Sequence, residues 1–176
     1  MNSHRLVEAF QYAAELHASQ RRKGTSIPYI SHLMTVAATV IEHGGDEDQA
    51  IAALLHDAIE DQPEDGRTRL QIRKRFGDRV LALVEACTDA DTHPKPPWRE
   101  RKEGYLAHLS EAPPEARLIS LADKVHNARA ILADHREIGD GVWERFTATK
   151  GETLWYYRAL ADAFLKLQPG PLARGG

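Results

Sequence analysis

The chain has 176 residues, of which 42% are hydrophobic and 28% are charged, so it can bury one core and has the composition of a globular domain. Its net charge of −3 argues against a nucleic-acid partner, and its single cysteine, Cys87, excludes an intrachain disulfide and a thiolate zinc cluster. The N-terminus lacks the apolar core of a signal peptide and no apolar stretch is long enough to span a bilayer, so we expect a cytoplasmic protein that binds no membrane.

Hydrophobic residues recur at helical spacing along most of the chain, and no segment shows the alternation that is typical of a strand. Glycine and proline mark the ends of the predicted helices. In chain order these helices cover residues from about 5 to 20, 31 to 43, 46 or 48 to 61, 70 to 76, 78 to 88, 98 to 110, 113 to 134 and 142 to 167. We therefore predict an all-α single domain over residues 1–168, followed by a flexible C-terminal tail over residues 169–176.

The third predicted helix carries ionisable residues in an apolar run, where they are out of place. His56 and Asp57 follow AALL directly. Glu60 and Asp61 come four residues later, and this spacing puts side chains on one helix face about 6 Å apart. Three carboxylates beside apolar surface would repel one another unless a cation lay among them. A helix end that turns to solvent explains the last two carboxylates but not the pair before them, so the pattern favours a metal or catalytic site.

Two further outliers complete the set of candidates. In RLISLADKVHNARAIL, Asp123 interrupts an apolar helix and shares a face with Asn127, although a salt bridge to Lys124 is an alternative explanation. His32 begins the second helix, where a lone histidine is more often a cap or a surface residue than a ligand. The candidate metal ligands are then two imidazoles and two carboxylates: His32, His56, Asp57 and Asp123. This donor set suits manganese, iron or zinc and leaves open positions for water and substrate.

These residues match the H…HD…D signature of the HD hydrolase superfamily, and four longer blocks resemble the hydrolase domains of the RelA/SpoT type. HASQRRKGTSIPYISH is similar to their His-x-x-Gln-x-Arg-Lys…Pro-Tyr-x-x-His opening, and ALLHDAIED to their LLHD-x-x-ED block. FGDRVLALVEACTD and LADKVHNARAI resemble two further blocks, in family order. The chain departs from the pattern at Leu33, where a proline is usual, in the loop GTSI after Lys23, and at Ala130, where threonine is common.

The resemblance implies an HD-type helical bundle, a stand-alone small alarmone hydrolase that uses manganese to remove the 3′-pyrophosphate from ppGpp and pppGpp. By position, the resemblance assigns the metal to His32, His56, Asp57 and Asp123. It makes Glu60 and Asp61 the catalytic carboxylates that orient or deprotonate the attacking water. It assigns substrate binding to Arg22, Lys23 and Asn127. The expected partner is a small-molecule nucleotide, and a homo-oligomer is compatible with the sequence.

Two alternatives stay open on the sequence alone. The first is an HD-type phosphohydrolase that acts on another nucleotide, such as a nucleotidase or a phosphatase of ppApp or NADPH. The second is a non-catalytic module that binds an alarmone or a metal. The pair Glu60–Asp61 argues against the second alternative, because binding alone does not require a carboxylate that orients water. The cation run Arg21–Lys23 is as consistent with a solvated surface as with phosphate binding.

Overall fold

The structure, a computed structural model, describes residues 3–61, 66–88 and 96–175, and within these ranges the fold is all-α, as predicted. Its helices are α1 (Ser3–Leu16), α2 (Ile30–Glu42), α3 (Glu47–Leu55), α4 (Ala58–Asp61), α5 (Arg67–Phe76), α6 (Asp78–Cys87), α7 (Trp98–Glu111), α8 (Pro114–Ile138), a 3-10 helix η1 (Gly139–Arg145), α9 (Lys150–Leu167) and α10 (Pro171–Gly175). In the described part of the chain, extended pairing is limited to one isolated bridge between Arg21 and Pro28. None of the described helices combines the length and the hydropathy that crossing a bilayer requires.

Helix α3 is the centre of the bundle. It packs against α1, α2, α6 and α8, and every residue from Ala50 to Leu55 is buried. A helix that is apolar on all sides is stable only when other elements surround it. A capping box starts the helix, because the Asp46 side chain accepts from the Gln49 backbone and the Gln49 side chain accepts from the Asp46 backbone. The packing of α3 in the core therefore fixes the position of His56, the residue that follows the helix.

A two-residue turn at His56 and Asp57 interrupts the helix, and this corrects the prediction of one continuous helix to Asp61. Helix α3 ends at Leu55, the two residues form a turn, and α4 follows as a separate single turn. The His56 side chain bonds through Nδ1 to the Ala53 carbonyl at 2.8 Å, and such a local bond competes with the helical backbone pattern. The expected four-residue stacking on one face assumed a continuous helix and stays a prediction.

The end of the chain also differs from the sequence-based prediction. Helix α8 continues to Ile138 and stops at Gly139, whose φ of 61° lies in the left-handed region that glycine adopts easily. Helix α9 begins at Lys150, after η1, instead of near Val142. Residues 171–175, which we predicted to belong to a flexible tail, form α10, because Leu172 is buried against α8 and α9.

Candidate metal centre

The structure brings the four predicted metal ligands together from three parts of the bundle. One ligand atom each from His32, His56 and Asp57 lies within 4.8 Å of the others. Asp57 Oδ2 is 3.0 Å from His56 Nε2 and 3.8 Å from His32 Nε2. Asp123, from α8, brings Oδ1 to 3.1 Å from His32 Nε2 and to 3.7 Å from His56 Nε2. Helix α2, the turn after α3 and helix α8 therefore converge on one point.

The donor atoms fit a divalent cation. His32 Nε2 and His56 Nε2 are both buried, and neither makes a hydrogen bond of acceptable geometry within the described residues. Buried polar atoms without partners are rare in folded proteins and mark places where an ion or water belongs. Two imidazole nitrogens that face two carboxylate oxygens are the donors that manganese, iron and zinc accept.

The electrostatics of the cluster favour a positive charge at its centre. Burial alone would raise the pKa of Asp57 and Asp123, but the charge of His56 lowers the first and that of Lys124 lowers the second, so both carboxyls are ionised. Burial would lower the pKa of His56, yet the charge of Asp57 outweighs it and raises this pKa well above its ordinary value. Burial lowers the pKa of His32. The two carboxylates therefore attract positive charge, which protonated His56 supplies and which a bound metal ion would supply in its place.

Neighbouring groups orient the ligands. The Ala53 carbonyl can only accept, so His56 carries a hydrogen on Nδ1, and when a metal ion displaces the proton of Nε2 the lone pair of this atom faces the centre. The Tyr29 hydroxyl donates to Asp57 Oδ2 at 2.5 Å. Lys124 Nζ donates to Asp123 Oδ2 at 2.7 Å, so the salt bridge considered from the sequence exists and holds a candidate ligand in place. Sequence reasoning missed Tyr29, although it lies three residues before His32, one helical turn away.

Of the two predicted catalytic carboxylates, the structure describes the side chain of Glu60. Glu60 lies half-buried in α4, three residues after Asp57, which places it on the short helix that leaves the metal cluster. The side chain of Asp61 lies outside the described residues. The role of both in orienting water remains a prediction.

The three predicted substrate-binding residues lie beside the cluster. Asn127 Nδ2 donates to Asp123 Oδ1 at 2.6 Å, and Arg22 donates through Nη2 to Asn127 Oδ1 at 2.9 Å, so the loop after α1 is linked to a candidate ligand. Arg22, Lys23 and Asn127 all line a cavity of about 320 Å³, together with Tyr29, and we call it the loop cavity.

A second cavity of about 400 Å³ shares Lys23 and Asn127 with the loop cavity. We call it the α7 cavity, because Arg101 and Lys102 of α7 line its wall. Sequence reasoning missed these two cations, since a polar helix shows no sign of which face meets a cavity. It also missed Phe146, whose ring lines both cavities.

Comparisons with known proteins agree with the geometry. Residues 9–152 match the family model for the HD domain. The chain is 41% identical over 127 residues to the guanosine-3′,5′-bis(diphosphate) 3′-pyrophosphohydrolase MESH1 of Xenopus tropicalis, over 70% of this chain and 68% of that protein. It is 36% identical over 135 residues to the guanosine-3′,5′-bis(diphosphate) 3′-pyrophosphohydrolase of Aquifex aeolicus, over 75% of this chain and 18% of that protein. A solved structure, described as a metazoan ortholog of SpoT that hydrolyses ppGpp, aligns with a TM-score of 0.66 at 27% identity and covers 94% of this chain and 97% of its own.

Proposed function

This chain belongs to the HD domain family, and on that basis we propose that it is a metal-dependent phosphohydrolase that releases pyrophosphate from the 3′ position of ppGpp and pppGpp. The relatives with this activity support the substrate. The observation that carries the proposal is the meeting of two buried imidazole nitrogens with one buried and one half-buried carboxylate, beside cavities lined by cations.

We assign manganese to this centre, held by the following residues: His32, His56, Asp57 and Asp123. Two neutral imidazoles and two carboxylates, with no thiolate, suit a borderline or hard divalent ion. When bound, such an ion lowers the pKa of water and polarises phosphoryl oxygens. The tautomer of His56 that its bond to Ala53 selects supports this assignment, because it leaves Nε2 free to coordinate.

The protein side chains would supply position and charge. Glu60, with Asp61, would orient the attacking water and accept its proton, since a carboxylate near the reacting water is a suitable general base. The water attacks the phosphorus that is bonded to the ribose 3′ oxygen, and the bond between this phosphorus and the 3′ oxygen breaks. The 3′ oxygen leaves as a hydroxyl group with the proton that the water gave up, and the two phosphates leave as pyrophosphate. Arg22 and Lys23 would stabilise the phosphate oxygens through charge-assisted hydrogen bonds.

The loop cavity has the composition of a nucleoside site. Phe146 and Tyr157 offer aromatic rings, Ile27 adds apolar surface, and Arg22 and Asn127 add hydrogen-bonding groups. Ligand sites are typically mostly apolar cavities with a few polar groups that fix orientation, and aromatic rings stack with bases of any sequence. A guanosine in this cavity would lie beside Tyr29, whose hydroxyl bonds to Asp57.

A panel of substrates tests the proposal. The manganese-loaded protein is incubated with ppGpp, ppApp, NADPH, AMP and dAMP, and the products are separated by charge. We expect GDP and pyrophosphate from ppGpp. Orthophosphate from AMP, dAMP or NADPH with ppGpp untouched would overturn the substrate and leave the metal centre. Stoichiometric metal without turnover of any compound would indicate a binding module instead.

A further inference from the structure

The Tyr29 hydroxyl lies on the boundary between the loop cavity and the metal centre. Tyr29 lines the loop cavity, and its hydroxyl donates to Oδ2 of Asp57 at 2.5 Å. This oxygen is the one that lies 3.0 Å from Nε2 of His56. The hydroxyl therefore contacts a candidate metal ligand on one side and the proposed nucleoside site on the other.

The ring of Tyr29 is held from two sides. Its centroid lies 5.3 Å from that of the buried His17 ring and 5.4 Å from that of His32. The backbone N–H of Tyr29 donates to the Gln20 carbonyl at 3.1 Å, and His17 Nδ1 lies 2.6 Å from Oε1 of the same glutamine. These contacts fix the hydroxyl oxygen before any substrate binds, while its hydrogen can still rotate.

The bond that the proposed reaction breaks would lie on the same boundary. With the nucleoside in the loop cavity and the 3′-pyrophosphate at the metal centre, the ribose 3′ oxygen lies between the two. This oxygen keeps the electron pair of the broken bond, so negative charge grows on it. Asn127 also borders both spaces, but its amide already bonds to Arg22 and Asp123. The rotatable hydroxyl of Tyr29 is therefore the better donor.

We propose that Tyr29 is a catalytic residue, whose hydroxyl donates a hydrogen bond to the ribose 3′ oxygen as the bond between this oxygen and phosphorus breaks. This inference rests on the proposed function. Positive charge at the metal centre weakens Asp57 as an acceptor, so the hydroxyl can turn its hydrogen to the leaving oxygen. Tyr29 keeps its own proton throughout, because the 3′ oxygen receives the proton that the attacking water gives up.

This hydrogen bond would lower the barrier more than it strengthens substrate binding. A hydrogen bond becomes stronger when its acceptor gains negative charge, and the 3′ oxygen gains it only as the bond breaks. An interaction that is stronger in the transition state than in the bound substrate raises kcat. Removing one such donor from an enzyme typically costs about 100- to 1,000-fold in kcat.

Tyr29→Phe tests the proposal, because it keeps the ring and removes the hydroxyl. The kcat for ppGpp is measured at manganese concentrations that saturate each protein, so that a weaker metal affinity after loss of the bond to Asp57 does not enter it. We expect kcat to fall by about 100-fold or more, with KM within about threefold of the wild type. A wild-type kcat in this variant would overturn the proposal.

Tyr12→Phe is the matched control. Tyr12 lies in α1 and packs against Phe76, with ring centroids 6.3 Å apart, and it lines neither the loop cavity nor the α7 cavity. The control loses the same hydroxyl group and keeps the wild-type kcat and KM. Circular dichroism checks the fold of both variants.

A binding measurement that needs no turnover tests the same contact. GDP has a 3′ hydroxyl, and 3′-deoxy-GDP lacks the 3′ oxygen. By calorimetric titration of the manganese-loaded wild type, we expect GDP to bind about three- to tenfold more tightly than 3′-deoxy-GDP, the effect of one neutral hydrogen bond. Tyr29→Phe binds the two ligands equally, whereas Tyr12→Phe keeps the preference for GDP.

The two measurements separate this inference from the proposed function. If the wild type releases no pyrophosphate from ppGpp but prefers GDP, and Tyr29→Phe loses this preference, the proposed function fails and the contact of Tyr29 with the 3′ oxygen is supported. If the wild type releases pyrophosphate and Tyr29→Phe keeps the preference for GDP, the inference fails and the function stands. A wild type that binds neither ligand, or both equally, also contradicts the inference.

Discussion

His32 Nδ1 lies 2.6 Å from Nδ1 of His126, and the two rings stack with their centroids 4.8 Å apart. Only one of the two nitrogens can carry the hydrogen of this bond. If His32 presents Nε2 to a metal ion, its hydrogen is on Nδ1, and His126 accepts it. His126 then selects the tautomer of His32, as the Ala53 carbonyl does for His56.

Replacing His126 tests this relationship. His126→Phe keeps a ring but removes the acceptor, and we expect manganese affinity to fall by about 10- to 100-fold, the range for partners of metal ligands. His126→Asn places its Oδ1 where Nδ1 was, so it keeps an acceptor and binds metal nearly as the wild type does. Competition with a chelator measures both affinities. If His126→Phe bound manganese like the wild type, His126 would have no part in orienting His32.

Glu60→Gln separates catalysis from metal binding. We expect this variant to keep its fold and its manganese and to lose about 100-fold or more in kcat, because an amide cannot accept the proton of the attacking water. Metal analysis and turnover of ppGpp are measured on the same preparation. A loss of metal together with activity would reassign Glu60 as a ligand.

Gly24→Ala tests the loop that carries Arg22 and Lys23. Gly24 has a φ of +70°, and a Cβ there would lie 2.5 Å from Cδ of Arg145, which bonds to Asp134. We expect a loss of about 1 kcal/mol or more in the free energy of unfolding, from strain at positive φ, and a higher KM for ppGpp.

Gly151→Ala is the control for that prediction. Gly151 lies in α9, and a Cβ there meets no atom within 4 Å. Alanine is favoured over glycine in helices by up to about 1 kcal/mol at interior positions, and Gly151 lies in the first turn, so this variant is at least as stable as the wild type. Denaturant unfolding measures both. Unchanged stability and KM in Gly24→Ala would show that the loop tolerates a side chain there.

Asp140 gives a pH-dependent contribution to stability. Its carboxylate accepts hydrogen bonds from Lys150 Nζ at 2.8 Å and from Trp143 Nε1 at 3.1 Å. These bonds lower the pKa of Asp140 from 3.8 to about 2, and the bond from Lys150 has the largest effect. Because the folded-state pKa is lowered, the contribution is complete above the ordinary pKa and is lost as pH falls toward 2. Asp140→Asn therefore lowers the Tm at pH 7, and its difference from the wild type shrinks between about pH 4 and pH 2. A difference that stays constant across this range would contradict this origin.

The residues that could be predicted from the sequence are those that stand out from their surroundings. His56, Asp57 and Asp123 interrupt apolar runs of the sequence, and a buried polar group such as His56 or Asp123 needs a reason that the sequence makes visible. The all-α fold followed in the same way from hydrophobic spacing.

The features that could not be predicted depend on contacts between distant or competing groups. The turn at His56 accompanies a side-chain bond to the Ala53 carbonyl, which helical periodicity does not reveal. Arg101 and Lys102 lie on a polar helix whose orientation is set only when α7 packs against α9. Leu172 gave no helical signal within a short segment rich in glycine and proline, yet packing buries it and orders α10.

The most direct test of the metal centre measures bound manganese and pyrophosphate release from ppGpp on the same samples. The samples are the wild type, His56→Ala, Asp123→Ala and the control His43→Ala, whose exposed imidazole ends α2 away from the cluster. We predict stoichiometric manganese and pyrophosphate release in the wild type and the control, and the loss of both in the other two variants. Stoichiometric manganese in His56→Ala or Asp123→Ala would contradict the proposed centre.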